Sequence, residues 1–192
     1  MSDFVVSSLK YRPSNFENVV GQEHVTKTLK NSILDKKIPS AILFCGPRGV
    51  GKTSCARIFA REINDFNSTD DLSFNIFELD AASNNKVEDI RDLIDKVRIP
   101  PQSGKYKVYI IDEVHMLSKN AENAFLKTLE EPPPYIVFIL ATTEKNKILP
   151  TILSRCQIYD FNRISENEIF ENLKQICNKE EVTFEDEALN II

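Results

Sequence analysis

Gly46-Pro-Arg-Gly-Val-Gly-Lys52-Thr53 is the stretch whose reading decides the fold. A short apolar run, Ala41-Ile-Leu-Phe-Cys45, precedes it. Behind it Cys55, Ile58, Phe59 and Ile63 recur at helical spacing. The pattern is G-x-x-x-x-G-K-T in the order strand, loop, helix. The glycines let the backbone curl, so that its N–H groups and the helix N-terminus make an anion site. Read this way, Gly46, Pro47, Arg48, Gly49, Val50, Gly51 and Ser54 wrap the phosphates of a nucleotide. Lys52 reaches the β- and γ-phosphates, and Thr53 holds Mg²⁺. The expected cofactors are therefore ATP and Mg²⁺.

On either side of this loop, strand-like and helix-like segments alternate. Residues 107–111 and 135–141 are short, β-branched and aromatic, as buried parallel strands require. Residues 74–79 and 157–161 read as further strands. Helices are expected around Val25, Leu29 and Ile33, from near Asn85 with Glu88 closing a capping box, and over 119–131 up to Pro132-Pro-Pro134. Ser165-Glu-Asn-Glu168 forms another capping box, and Thr183 is expected to cap a last helix. Residues 1–22 read as a mostly irregular arm that packs Phe16, Val19 and Val20 onto the domain. The alternation predicts an α/β fold with a mostly parallel sheet between two helical layers. Ligands of such sheets bind at the carboxyl ends of the strands. The domain reading is an ATPase domain over 1–163, followed over 164–192 by the truncated start of a helical second domain.

Bulk properties narrow the function. The chain has 192 residues, 28% of them charged and 42% hydrophobic, which suits an ordinary globular protein. A net charge of −5 gives no global basic field, so DNA contact must come from a local patch. No apolar run is membrane-sized, and the first residues lack a signal-peptide pattern; the expectation is a cytoplasmic protein without membrane contact. Cys45, Cys55, Cys156 and Cys177 form no C-x-x-C pair and read as buried reduced thiols.

The strand ends supply the chemistry. Asp112, after an apolar strand, suits the second Mg²⁺-holding group beside Thr53. Glu113 can orient and deprotonate an attacking water. Thr143 can bond the γ-phosphate or that water. His115 reads as a neutral structural histidine, because Glu113 already fills the base role. Hydrolysis also needs positive charge on the γ-phosphate, which makes Arg155 a candidate.

Tyr11-Arg-Pro13, Val20-Gly-Gln22, the phosphate loop, Asp80-Ala-Ala-Ser83, Lys86-Val-Glu-Asp89, Ile111-Asp-Glu-Val-His-Met-Leu-Ser118, Leu126-Lys-Thr-Leu-Glu-Glu-Pro132, Leu140-Ala-Thr-Thr143 and Ile152-Leu-Ser-Arg-Cys156 together resemble the AAA+ ATPases of the clamp-loader clade. The resemblance implies a three-layer αβα domain whose five parallel strands run in the order 5-1-4-3-2. It implies that Tyr11, Arg12 and Val20 line the nucleotide pocket, that Thr143 is sensor 1, and that Arg155 is a finger on a neighbour's ATP. The implied partners are other clamp-loader subunits in a hetero-oligomeric ring, expected to be a pentamer, with a sliding clamp and primer-template DNA near Lys86. Relatives carry a four-cysteine zinc module after the phosphate-loop helix; residues 61–73 contain no cysteine, so zinc is not expected. Two other readings share parts of this pattern: a branch-migration or helicase-type AAA+ motor, and a scaffold subunit that does not hydrolyse ATP.

Overall fold

Every residue of β1 (Ala41–Cys45) is buried, as a strand covered on both faces requires. The computed structural model describes residues 6–66 and 74–184. In chain order the elements are α1 (Ser7–Lys10), α2 (Glu23–Leu34), β1, α3 (Lys52–Glu62), β2 (Ile76–Asp80), α4 (Val87–Val97), β3 (Lys107–Asp112), α5 (Lys119–Glu130), β4 (Ile136–Thr142), α6 (Pro150–Leu153), β5 (Gln157–Asp160) and α7 (Glu166–Lys179). All strand pairs are parallel, in the order β2-β3-β4-β1-β5. Read from the other edge this is 5-1-4-3-2, as the resemblance implied.

Strand alternation sorts the core into two layers. Ile42 and Phe44 of β1 face α2 and α3, packing with Leu29, Cys55 and Phe59. Leu43 and Cys45 face the other way, toward Ile90 and Leu93 of α4 and Phe125 and Leu129 of α5. Burying each large side chain of this kind contributes about 1.5–3 kcal/mol. Register brings the strand ends level: Cys45 pairs with Thr142, Ile111 with Leu140 and Asp80 with Asp112. The segments that follow β1, β3 and β4 therefore meet at the carboxyl end of the sheet.

Several local readings shift. α4 begins at Val87, and Asp89 rather than Glu88 closes its first turn, by accepting from Lys86 N at 3.1 Å. The Asn85 carbonyl is instead taken by Ser118 N at 3.2 Å, which ties this loop to the start of α5. β2 starts at Ile76 rather than at Phe74, and just before it the Asn75 side chain ties to the neighbouring loop, its Nδ2 donating to the carbonyls of Ser103 and Tyr106. The described part of the arm is mostly irregular, as expected, with α1 and a 3₁₀ turn at Phe16–Asn18 as its short regular pieces. Phe16 and Val19 are buried, whereas Val20 is only half-buried. Ser165 accepts from Glu168 N, and Glu168 accepts in return, as the capping box predicts. The helix expected after Thr183 lies outside the described residues.

All four cysteines are free, but only Cys45 and Cys55 are buried; Cys156 and Cys177 are half-buried, a correction to the expectation. Burial pushes the Cys45 thiol up to about 11 and Cys55 up to about 12, so both stay protonated at neutral pH. Among the described residues no helix is long and apolar enough to cross a membrane.

Candidate active site

The phosphate loop is held by two glycines for different reasons. At Gly46 an added Cβ would lie 2.6 Å from the Phe161 carbonyl oxygen, so no side chain fits where the loop passes the end of β5. Gly51 caps α3 with φ 97°, a left-handed conformation that favours glycine. Lys52, the first residue of α3, is 6% exposed. Its ammonium donates to the carbonyls of Gly46 at 2.8 Å and Pro47 at 2.7 Å. Burial lowers the Lys52 pKa, against the opposing pull of the Glu113 and Asp112 carboxylates.

Beside the loop lies a cavity of about 640 Å³, lined by Arg48, Gly49, Gly51, Lys52, Thr53 and Ser54 together with Arg12, Asp80, Asp112 and Glu113. Gly46, Pro47 and Val50 are not among the lining residues, and Val50 is buried in the core. Thr53 Oγ1 donates to Asp112 Oδ2 at 2.7 Å, which puts both groups expected to hold Mg²⁺ side by side. Glu113 stands in the left-handed region, φ 48° and ψ 44°. That conformation costs a non-glycine residue roughly 1–2 kcal/mol. It is held by Glu113 N donating to Asp112 Oδ1 at 3.0 Å, and it turns the chain so that two successive carboxylates line one cavity. Glu113 Oε2 accepts from Thr143 Oγ1 at 3.0 Å and Thr143 N at 3.3 Å. His115 belongs to the same cluster, with Nδ1 3.4 Å from Glu113 Oε2.

A second cavity, about 520 Å³, opens between the N-terminal arm and α7. Tyr11 and Val20 line this one and not the phosphate-loop cavity; Arg12 lines both. The Tyr11 hydroxyl donates to Glu180 Oε1 at 2.5 Å, and Lys10 reaches the same oxygen. Arg155 lines neither cavity. Its guanidinium donates to Glu130 Oε1 at 2.7 Å and to the Thr151 carbonyl at 2.7 Å, on the surface formed by α5 and α6. Lys86 is exposed at the start of α4.

The sequence model of the family described as "DNA polymerase III, delta subunit" matches residues 21–165. The chain belongs to this family. Among curated relatives of this family member, DNA polymerase III subunit tau of Bacillus subtilis is 51% identical over 197 residues, covering 95% of this chain and 35% of that protein. DNA polymerase III subunit tau of Escherichia coli is 43% identical over 204 residues, covering 98% of this chain and 32% of that protein. The chain thus spans about a third of the length of these relatives. Among solved structures, the Thermotoga maritima RuvB Holliday junction branch migration motor superposes with TM-score 0.72 at 25% identity, over 94% of this chain and 58% of that one. A DNA polymerase III gamma subunit-related protein of Thermotoga maritima gives TM-score 0.65 at 28% identity, over 80% and 51%. The fold is that of the AAA+ proteins.

Sequence reading had not assigned Asp80 or α7 to the site. Asp80 ends a parallel strand next to Asp112, the position that marked Asp112 itself, so its signal was present. Glu168 and Ile176 of α7 line the second cavity, and no local pattern in the sequence pointed there.

Proposed function

We propose that this chain is an ATP-binding and ATP-hydrolysing motor subunit of the sliding-clamp loader of a replicative DNA polymerase, of the DNA polymerase III gamma/tau kind. It would load the clamp on primed DNA as part of a cytoplasmic hetero-oligomeric ring. The observation that carries this reading is the convergence of Lys52, Thr53, Asp112 and Glu113 on one cavity at the strand ends. A scaffold subunit without hydrolysis has no use for all four. The family description names a delta subunit, but the complete set favours the motor over the scaffold. The branch-migration reading shares the fold, yet relatives at 43–51% identity are polymerase III subunits.

The residues present fit ATP and Mg²⁺. Lys52 is a buried ammonium held by two loop carbonyls, and the cavity at the start of α3 offers it and the free N–H groups of a helix N-terminus to phosphate charge. Thr53 and Asp112 would hold Mg²⁺, and Tyr11, Arg12 and Val20 would border the rest of the nucleotide. Bound Mg²⁺-ATP supplies the phosphoanhydride that is split and a metal charge that offsets the one developing there. Glu113 takes the proton of the attacking water, and Thr143 orients it. Arg155 serves a neighbouring subunit's site. Residues 1–163 would form the ATPase domain and 164–192 the start of a helical lid. Zinc has no part, since residues 61–73 hold no cysteine.

Lys52→Ala tests the nucleotide site. Removing the ammonium should abolish ATP binding as read by titration calorimetry, because no other side chain of the loop brings a buried positive charge. Wild-type affinity would reject the proposal. A second test concerns DNA. Lys86, exposed beside the N-terminus of α4, joins a point charge to the helix dipole. In the assembled loader Lys86→Ala should weaken binding of primer-template DNA at all sequences alike and flatten the salt slope by about one unit. An unchanged slope would remove Lys86 from the DNA surface.

A further inference from the structure

The base Glu113 is backed by a closed network that the functional reading leaves unused. His115, in the 3₁₀ turn Val114–Met116, has a side chain only 5% exposed. Its Nδ1 lies 2.9 Å from Thr142 Oγ1 and 3.4 Å from Glu113 Oε2. Its Nε2 lies 3.3 Å from Glu144 Oε1. Thr142 is fully buried, and its Oγ1 already accepts from Glu144 N at 3.0 Å. The Thr142 hydroxyl proton then needs an acceptor, and among the described residues His115 Nδ1 is the one it has. A ring that accepts at Nδ1 carries its proton on Nε2, facing the Glu144 carboxylate. In that tautomer Nδ1 offers Glu113 no proton.

Among the described residues, Glu113 Oε2 is consequently held by Thr143, through its hydroxyl and its N–H. Those two donors stand on the end of β4, the same segment that His115 grips through Thr142. We propose that His115 is a positioning residue for Glu113: it pins the end of β4 that presents Thr143, and it withholds any competing donor from the carboxylate, while Glu144 fixes the ring from the surface side. A donor competing with Thr143 would draw the carboxylate away from the position that Thr143 sets. A loosened carboxylate would lose the geometry of attack, and misplacement by about 1 Å can cost about 10²-fold in rate. The inference rests on the proposed role of Glu113 as base.

The test uses the full-length chain assembled with its partner subunits, with ATP as the probe. His115→Ala and Thr142→Val should each lower kcat by about 10–100-fold while KM and ATP affinity stay within about twofold. Thr142→Val keeps the side-chain shape and removes only the hydroxyl, so it covers the case in which His115→Ala does not fold. His115→Asn, whose amide oxygen can accept in place of Nδ1, should regain most of the lost rate. His115→Leu should not; equal rates for Asn and Leu would make the ring a space-filler and overturn the proposal. Wild-type kcat in Thr142→Val, or a fall in kcat matched by an equal loss of ATP affinity, would overturn it too. Glu113→Gln runs alongside. If it loses turnover while His115→Ala and Thr142→Val keep theirs, only the positioning role fails. If it keeps turnover, Glu113 is not the base and both readings fall.

Discussion

Arg155→Ala should leave ATP binding by the isolated chain intact and cut hydrolysis by the assembled loader by roughly 10³-fold or more. The binding half follows from placement: Arg155 lines neither cavity and spends its donors on Glu130 and the Thr151 carbonyl. The hydrolysis half follows if a head-to-tail contact presents this guanidinium to the next subunit's γ-phosphate, completing each site from two chains. The Glu130 pair is surface-exposed and weakly held, worth well under about 1 kcal/mol, so a phosphate can displace it. Arg12 and Arg48 complicate the picture, since both line the chain's own phosphate cavity and could supply charge in cis. Mixing Lys52→Ala and Arg155→Ala chains in one assembly separates the cases. Interfaces that join an intact pocket to an intact finger should regain activity that neither variant shows alone. Full activity from a dilute monomer, indifferent to Arg155→Ala, would sink the trans mechanism and leave the charge to Arg12 or Arg48.

Glu113→Gln should retain ATP binding and lower turnover in the assembled complex by about 10²–10⁴-fold. The substitution preserves size and can still meet Thr143, so the left-handed turn after β3 and the neighbouring Asp112 are undisturbed. What disappears is the capacity to take a proton. Binding titrations alongside steady-state ATPase rates distinguish this outcome from damage to the pocket. Turnover within a few-fold of wild type would show that another group serves as base, with Asp80 next in line from its place in the cavity lining.

How much of this was legible before folding varies with the range of the interaction. The phosphate loop, the apolar strands and the Ser165 capping box are short-range patterns, and each reappears in the structure with its expected neighbours. Asn85 shows where local rules fail: its capping signature was correct in type, but its carbonyl is claimed by Ser118, 33 positions on, and the helix starts at Val87. Arg12 illustrates the opposite limit. Resemblance assigned it to the nucleotide pocket with Tyr11 and Val20, whereas the structure divides that region into two cavities that meet at Arg12.

By itself, then, the sequence determined the order of strands and helices, the anion-binding loop, and the acidic pair at the end of β3. These depend on backbone conformation and side-chain periodicity within a few residues, which neighbouring residues set directly. Only the tertiary structure decided that Thr53 meets Asp112 across 59 positions, that Thr143 holds Glu113, and that His115 stands between Thr142, Glu113 and Glu144. Those contacts depend on which strands lie side by side and in what register. Parallel pairing of β1 with β4 and of β3 with β4 is fixed by packing of both faces of the sheet against helices, a property of the whole chain that no single stretch carries.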